Sequence, residues 1–152
     1  RVESRGEVLN QFLVEVFGQI LKAEAACLAG KDLSLRELHL IDAVCRAVDQ
    51  GGDNRSTAIA AALGITAGTL TSAVNLLEKK GYLLRRRDER DKRVVHLLPT
   101  ERGRAADARH RDFHRQMVAH VLDGLTDEEA ECTLRALGRV AEFFRRGAPE
   151  RG

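Results

Sequence analysis

Residues 62–103 read ALGITAGTLTSAVNLLEKKGYLLRRRDERDKRVVHLLPTERG, and this stretch decides the fold. A short Ala-rich helix, about 56–62, leads into the turn LGIT at 63–66 and then into a second helix, about 67–80. The glycine permits the sharp turn, the apolar residues beside it fill the angle between the helices, and Thr66 can cap the second helix. The pattern therefore predicts a helix-turn-helix.

The second of these helices carries short polar side chains that suit the reading of base edges. In a helix-turn-helix the second helix enters the major groove with its N-terminal residues against the bases. Hydroxyls bond phosphates or bases, an Asn reaches adenine, and a Thr methyl contacts the thymine methyl. The expected DNA contacts of this helix are Thr66, Thr69, Thr71, Ser72 and Asn75, with Arg55, Ser56 and Thr57 on phosphates. An ordinary helical hairpin rich in small residues is the alternative interpretation.

A strongly charged segment then separates two apolar runs. Runs 82–84 and 94–98 read as strands, and segment 85–93 between them holds six basic and three acidic side chains. Two strands around such a loop predict a β-hairpin, and a basic loop beside a recognition helix can reach the electronegative minor groove. The arginines expected to act in this wing are Arg86, Arg90 and Arg93. Asp88 and Asp91 are expected to orient the last two through bidentate pairs. A solvated hairpin of balanced charge is the alternative.

Long amphipathic helices flank this region. The first, roughly 5–29, repeats apolar pairs every four residues and meets Gly30, a natural capping residue. The capping box at 34–37 starts another helix, and two more follow at about 101–123 and 126–146. The order predicts a mainly α (α+β) winged helix-turn-helix.

The apolar faces of the terminal helices predict which parts of the chain form the dimer and which part binds DNA. The double stripe of the first helix and the apolar face of the last exceed what one small winged region can cover, which indicates a buried homodimer interface. We expect residues 1–30 and 101–152 to supply the dimerisation helices and 31–100 to form the DNA-binding region, within one compact domain overall.

Composition excludes several other classes. The net charge of the 152 residues is only +2, so the total charge alone does not indicate a nucleic-acid-binding protein. No apolar run is long enough to cross a membrane. Three widely spaced cysteines without a CxxC pair argue against a disulfide framework or a zinc ribbon. We expect a cytoplasmic protein with reduced thiols and no cofactor; the N-terminus shows no signal pattern, and without an initial Met the numbering is expected to start inside the natural chain.

The wing sequence resembles a known family. Its D-x-R-D-x-R pattern at 88–93, followed by Val94-Val95 and Thr100-x-x-Gly103, is similar to the wing of the multiple-antibiotic-resistance regulator (MarR) family. The resemblance implies a homodimer with intertwined terminal helices, each winged region lying on one half of an inverted-repeat operator of double-stranded DNA. It also implies recognition helix 67–79, Arg90 in the minor groove and Asp88 as its support. Pro99 departs from the family, and because Pro cannot donate a ladder hydrogen bond, strand pairing is expected to end at Leu98.

A narrower resemblance concerns the effector. The segments ELHLID at 37–42 and HRDFHRQM at 110–117 resemble the fatty-acid-synthesis repressor branch of the family, whose members are thought to sense acylated acyl carrier protein. A pocket for such an acyl chain, or for a small aromatic or other hydrophobic ligand, would be lined by Phe17, Leu21, Leu38 and Phe113, which equally suit plain core packing.

Three alternatives remain for individual residues. A regulatory zinc site would use Glu24, His39, His110 and His114, since zinc-sensing members of the same family use histidines in the corresponding regions; plain helix-interface hydrogen bonding is the simpler interpretation. Cys27, Cys45 and Cys132 are expected to be buried and inert rather than redox-active. An enzyme is disfavoured because no GxSxG, Walker or HExxH pattern occurs, and a protein-binding helical adaptor would not need the charged wing.

Overall fold

The computed structural model describes residues 3–28 and 31–147, and within these ranges the chain is mainly helical with one small antiparallel sheet. The elements in chain order are α1 (Arg5–Cys27), α2 (Leu35–Asp49), α3 (Ser56–Leu63), α4 (Ala67–Lys79), β1 (Leu83–Arg87), β2 (Val95–Pro99), α5 (Glu101–Asp123) and α6 (Asp127–Arg145). This order confirms the predicted winged helix-turn-helix class. By its contacts the chain forms two compact units, 1–111 and 112–152, and the boundary falls inside α5.

Side-chain caps fix where the helices begin. Capping boxes start α2 at Ser34 and α6 at Thr126, as the sequence predicts, and a third starts α1 at Ser4. Each hydroxyl accepts a hydrogen bond from the backbone N–H three residues on, while the Glu at that position accepts from the cap residue's own N–H. The helix α1 ends at Cys27, earlier than expected, and the capping role expected of Gly30 lies outside the described residues.

The turn between α3 and α4 has the geometry that its sequence predicts. Gly64 ends α3 in the left-handed conformation at φ +65°, which a residue with a side chain adopts only at a cost. The Thr66 hydroxyl then accepts a 3.1 Å hydrogen bond from the Thr69 backbone N–H and caps α4. The two helix axes bend by 109° at this turn, within the range of helix-turn-helix units.

One apolar core lies beneath these helices and the hairpin. The largest of its fully buried side chains, each 0–2% exposed, are Leu38, Ile41, Val44, Cys45, Val74, Leu77, Leu83 and Leu97. They come from α2, α4 and both strands, so the helix-turn-helix and the hairpin share a single hydrophobic interior. Burial of each such Leu, Ile or Val stabilises the fold by about 1.5–3 kcal/mol, which holds the recognition helix and the wing on a common base.

The hairpin is longer than the sequence suggested. Arg85–Arg87 belong to β1 instead of the loop, since they pair antiparallel with residues 95–97 of β2. The expectation that pairing ends at Leu98 is wrong, because Pro99 pairs with Leu83. The next ladder bond runs from the Thr100 N–H to the Tyr82 carbonyl at 3.0 Å, which makes the Leu83–Pro99 pair non-hydrogen-bonded. Pro99 therefore occupies a position where the ladder needs no N–H.

A close backbone contact joins the hairpin to the start of α5. The Thr100 hydroxyl donates to the Gly81 carbonyl at 2.6 Å and accepts from the Gly103 N–H at 3.1 Å. A Cβ on Gly103 would lie 2.2 Å from the Tyr82 carbonyl oxygen, so only glycine fits between α5 and β1 here. The Thr-x-x-Gly spacing of the sequence is thus explained by a helix that starts against a strand.

Replacement of Gly103 by Ala is expected to destabilise the protein by about 1–3 kcal/mol, because the new methyl group must displace backbone. Denaturant unfolding followed by circular dichroism measures the loss. The matched control is Gly68→Ala on α4, where an added Cβ meets nothing within 4 Å and which should be neutral or stabilising. Equal midpoints for the two variants would contradict the steric argument.

No single helix within 3–28 and 31–147 is both long and apolar enough to cross a membrane. Helices α3 and α4 pass the same length and composition test only when they are taken together across their bend.

Candidate nucleic-acid interface

The outer face of α4 is polar and open. Leu70, Val74 and Leu77 point into the core. The residues expected to read bases are all exposed: Thr69, Thr71, Ser72 and Asn75. The Thr71 hydroxyl donates to the Ala67 carbonyl at 2.9 Å and keeps its oxygen as an acceptor. Helical periodicity therefore separates the buried apolar face of α4 from an exposed face of hydroxyl and amide groups, as the sequence predicts for a recognition helix.

The start of α3 offers backbone donors beside a paired arginine. No side chain caps this helix, so its first-turn N–H groups near Ser56 and Thr57 face the surface. Arg55 precedes them, and its Nε donates to both carboxylate oxygens of Asp53 at 2.8 and 3.0 Å. This pair lowers the pKa of Asp53 to about 2, chiefly through the side-chain hydrogen bond from Arg55. Arg55 is half exposed and held in place, which suits a group that meets a phosphate.

The tip of the wing is an aspartate-stabilised turn. Asp91 pairs with Arg93 through two contacts, from Nε at 3.2 Å and from Nη2 at 3.4 Å, as the sequence predicts. The corresponding expectation for Asp88 needs correction: its Oδ1 accepts from the backbone N–H of Arg90 at 2.8 Å and of Asp91 at 3.0 Å. Asp88 thus fixes the turn and leaves the exposed Arg90 side chain to point outward.

Arg85 joins the wing to the recognition helix, a role that sequence reasoning missed. Its Nη2 donates to the Thr71 carbonyl at 3.2 Å and its Nη1 lies 3.5 Å from Glu78 Oε1. The Arg85 backbone N–H also donates to Glu78 Oε2 at 3.1 Å. Because these bonds connect β1 with α4 directly, the wing and α4 are held in a fixed register. The only sequence signal was a basic residue at the inner end of the charged run.

His96 is a second residue that sequence reasoning missed. It lies in β2 and is partly buried between Asn54, which precedes α3, and Asp88 of the wing. The pKa of Asp88 falls to about 2, first because of the His96 hydrogen bond and then because of the two backbone donors. A histidine inside an apolar strand gives no sign of this role, since both partners are distant in sequence.

The histidine cluster is partly assembled within the first unit. The Nε2 atom of His110 lies 3.0 Å from Glu24 Oε1, and His39 Nε2 lies 3.7 Å from Glu24 Oε2. His110 and Glu24 are 7% and 4% exposed, so this is a buried imidazole–carboxylate pair between α5 and α1. His114 follows His110 by four residues on α5 and belongs to the second unit.

The cysteine expectation is correct for one residue and wrong for two. Cys45 is buried, and burial raises the pKa of its thiol to about 12, which makes it unreactive. Cys27 and Cys132 are exposed in this chain. Of the residues suggested for a ligand pocket, Leu38 lies in the core at 2% exposure and Phe17 is 63% exposed on α1.

A buried carboxyl group, Asp107 of α5, meets a partly buried one, Asp42 of α2. Asp42 Oδ1 and Asp107 Oδ1 are buried without a hydrogen-bond donor, while Arg111 Nε contacts Asp107 Oδ2 at 2.8 Å. Burial, and next the neighbouring Asp42 carboxyl, raise the pKa of Asp107 to about 6. A proton on Asp107 would donate to Asp42 and satisfy both oxygens.

This pair makes stability depend on pH. Because the folded pKa of Asp107 lies above its ordinary value of 3.8, its contribution to stability is complete only below that value and is lost as the pH rises through about 6. Asp107→Asn keeps a donor to Asp42 at every pH, so the fall in melting temperature between pH 4 and 7 should be smaller in this variant. The control is Asp112→Asn, an exposed change that should track the wild type. Parallel curves for all three proteins would refute the shared proton.

The fold and this surface define a winged helix-turn-helix protein, with a polar recognition helix, an aspartate-stabilised arginine wing and a rigid connection between them. Residues 44–95 match the MarR family. The structure resembles Streptococcus pneumoniae FabT in complex with DNA, with a TM-score of 0.82 and 35% identity over 91% of this chain and 96% of that one. The chain belongs to the MarR family.

More distant comparisons agree with this assignment. The S. aureus MepR–DNA complex has the same fold, with a TM-score of 0.68 and 17% identity over 93% of this chain and 98% of that one. Two Bacillus subtilis proteins named as uncharacterized HTH-type transcriptional regulators, YwhA and YcgE, are each 31% identical over 47% and 53% of this chain. The chain spans only about half of their lengths, 52% and 53%. Relatives of this kind are regulators of transcription and not enzymes.

Proposed function

We propose that the protein is a homodimeric DNA-binding transcriptional regulator, acting in the cytoplasm as a repressor on an inverted-repeat operator. The observation that carries this proposal is the fixed register between α4 and the wing, made by the hydrogen bonds of Arg85 to Thr71 and Glu78. A rigid pair of elements can place base-reading hydroxyls in the major groove and an arginine in the adjacent minor groove at the same time.

The contacts divide by their chemistry. Thr69, Thr71, Ser72 and Asn75 would read base edges, while the α3 N-terminus with Arg55, Ser56 and Thr57 would hold a phosphate through backbone donors and the helix dipole. The Thr66 hydroxyl caps α4, so Thr66 would contribute to DNA binding by fixing the position of this helix. Arg90, Arg86 and Arg93 on the wing would bind the backbone and the minor groove.

Exposed apolar surfaces favour a dimer. On α1, in the first unit, the residues Val8, Leu9, Phe12, Val14 and Phe17 are each at least 51% exposed. In the second unit, the residues Val118, Val121, Leu122, Leu134, Leu137, Phe143 and Phe144 are 47–70% exposed. Such continuous apolar faces are costly in water and mark interaction surfaces, and a second copy of the chain offers the same faces in return.

The direct test is the affinity of the pure protein for a set of DNA duplexes. Two recognition helices roughly 34 Å apart require half-sites about one helical turn apart, in inverted orientation. We expect selection from a random duplex library to return such a palindrome, fluorescence anisotropy to show tight binding, and log Kd to rise steeply with log salt. A duplex with one half-site destroyed is the matched control. Equal affinity for both duplexes would reject the operator proposal.

For the effector we propose acylated acyl carrier protein, with fatty-acid-synthesis genes as targets. This proposal is supported by the likeness of segments 37–42 and 110–117 to the fatty-acid-synthesis repressor branch and by 35% identity to FabT over nearly the whole chain. The test adds acyl carrier protein, loaded with a long acyl chain or unloaded, to the operator complex. Tighter DNA binding with the loaded form alone supports the proposal, and no difference refutes it.

A zinc-responsive regulator is the second candidate, favoured by the buried contact of His110 with Glu24 and the proximity of His39. Imidazole and carboxylate groups suit zinc, and these three residues of the first unit would hold it. The test is zinc titration of metal-free protein, with Glu24→Gln as the variant. Stoichiometric binding that the variant loses, together with a change in operator affinity, would favour zinc over the acyl effector.

A further inference from the structure

His96 bridges two segments that the proposed DNA contacts depend on. Its Nδ1 atom lies 3.0 Å from Asn54 Oδ1, in the segment that leads into α3. Its Nε2 atom lies 3.0 Å from Asp88 Oδ2, at the beginning of the wing-tip turn. The side chains of His96 and Asp88 are 28% and 33% exposed, so this bridge is partly shielded from water. The two partners, Asn54 and Asp88, determine which nitrogens of the His96 ring carry protons.

The side chain of Asn54 donates no hydrogen bond to the His96 ring. The Asn54 Nδ2 group donates to the Leu97 carbonyl at 2.9 Å, and a backbone carbonyl can only accept. This bond fixes the orientation of the amide, so the atom that faces His96 is the amide oxygen. Because an amide oxygen is an acceptor, Nδ1 of His96 must carry a proton and donate it.

The carboxylate of Asp88 also donates no hydrogen bond to the ring. Its Oδ1 atom accepts two backbone hydrogen bonds, from Arg90 and Asp91, and its pKa is lowered to about 2 by His96 first and by these donors next. Asp88 is therefore a carboxylate, and its Oδ2 atom faces Nε2 as an acceptor. Nε2 must then carry a proton as well, since two facing lone pairs would repel each other.

We propose that His96 is a positioning residue for DNA binding, which acts as a doubly protonated imidazolium that links the start of α3 to the wing-tip turn carrying Arg90. The proposal rests on the proposed function in one respect, that Arg90 contacts DNA. Loss of one proton would leave Nε2 and the Asp88 carboxylate facing each other without a hydrogen, and the wing tip would lose its connection to α3. Without that hydrogen the wing tip is less well positioned, and DNA affinity falls.

Other charged groups face the ring from both sides. Arg86 is its partner across the hairpin, and Arg55 forms a β-bridge with it from the segment before α3. Asp53 in that segment also feels the charge of His96. Further charged residues around the same cleft on the wing are Arg87, Glu89 and Arg90. Four of these six groups are cationic and oppose a second positive charge on the ring, so the second proton depends on the two direct acceptors, Asn54 Oδ1 and Asp88 Oδ2.

The first test needs no DNA. Long-range ¹H–¹⁵N NMR spectra of the full-length protein at pH 7 report whether each ring nitrogen is protonated. Both nitrogens of His96 are expected to carry a proton. In Asp88→Asn the new amide can donate to Nε2, so the ring should become neutral with its proton on Nδ1. A neutral His96 in the wild type, or an unchanged ring in Asp88→Asn, would overturn the proposal.

The second test measures operator affinity at pH 7. His96→Gln should bind the operator about fivefold more weakly than the wild type, as expected for the loss of one charge-assisted hydrogen bond that is partly exposed. His120→Gln, an exposed change on α5, is the matched control and should keep the wild-type affinity.

A double-mutant cycle separates this inference from the proposed function. If His96 acts through Arg90, His96→Gln should have less than about a twofold effect in an Arg90→Ala background. Should Arg90→Ala alone leave affinity unchanged, the wing contact of the proposed function fails. Should Arg90→Ala weaken binding while His96→Gln does not, the wing contact stands and the positioning role of His96 fails.

Discussion

Replacement of Arg90 by Ala is expected to weaken operator binding about tenfold to a hundredfold, which corresponds to roughly 1–3 kcal/mol. Arg90 is exposed at the tip of the wing, and its backbone N–H is held by Asp88 at 2.8 Å, so the side chain is presented by a turn that is already formed. Such pre-organisation means that the backbone of the turn would lose little conformational entropy in the proposed contact of the guanidinium with the minor groove.

Fluorescence anisotropy at several salt concentrations measures this effect. Apart from the drop in affinity, the slope of log K against log salt should decrease by about one if Arg90 neutralises one phosphate equivalent. The matched control is Lys92→Ala, which removes the same charge from an exposed position two residues away. Equal losses for the two variants would mean that the wing contributes only general positive charge, and the proposed minor-groove contact would be rejected.

The fold could be predicted from the sequence because the residues that start and end its helices act locally. Gly64 at positive φ, the Thr66 cap and the Ser34 and Thr126 capping boxes are all decided by residues within four positions of each other. The polar face of α4 was also predictable, since helical periodicity alone separates Leu70, Val74 and Leu77 from their neighbours.

The connections between elements were not predictable in the same way. Asn54 and His96 are separated by 42 positions in the chain, and their hydrogen bond follows from the packing of β2 against the start of α3. Likewise, Arg85 appeared to belong to the loop, but strand pairing places it inside β1, where its side chain reaches the Thr71 carbonyl. A single sequence contains no signal for such distant partners.

The error at Pro99 shows the same limit on a smaller scale. Proline does lack an N–H, but antiparallel ladders alternate between hydrogen-bonded and non-hydrogen-bonded pairs. Whether the missing donor matters depends on the register, which is set by the pairing of Leu84 with Leu98 and by the Thr100–Tyr82 bond. Residue identity alone could not reveal which kind of pair Pro99 would form.

The largest expected effect comes from the apolar faces outside the winged region. Leu137→Glu on α6 and Phe12→Glu on α1 each place a charge on a side chain that is half exposed in the single chain, 50% and 55%. Within one chain a charge at these positions meets water at little cost. In the proposed dimer it would be buried without a partner, which costs several kcal/mol, so both variants should become monomeric.

Loss of the dimer should reduce operator affinity by at least about a hundredfold, because two linked winged regions bind with a high effective concentration that a monomer lacks. Sedimentation velocity measures the mass and anisotropy measures the affinity, while circular dichroism checks that helix content is retained. Gln19→Glu, an exposed polar position on α1, is the matched control and should leave the dimer intact. A folded Leu137→Glu protein that stays dimeric would show that this face of α6 is free in solution, and the dimer would then have to form through other surfaces.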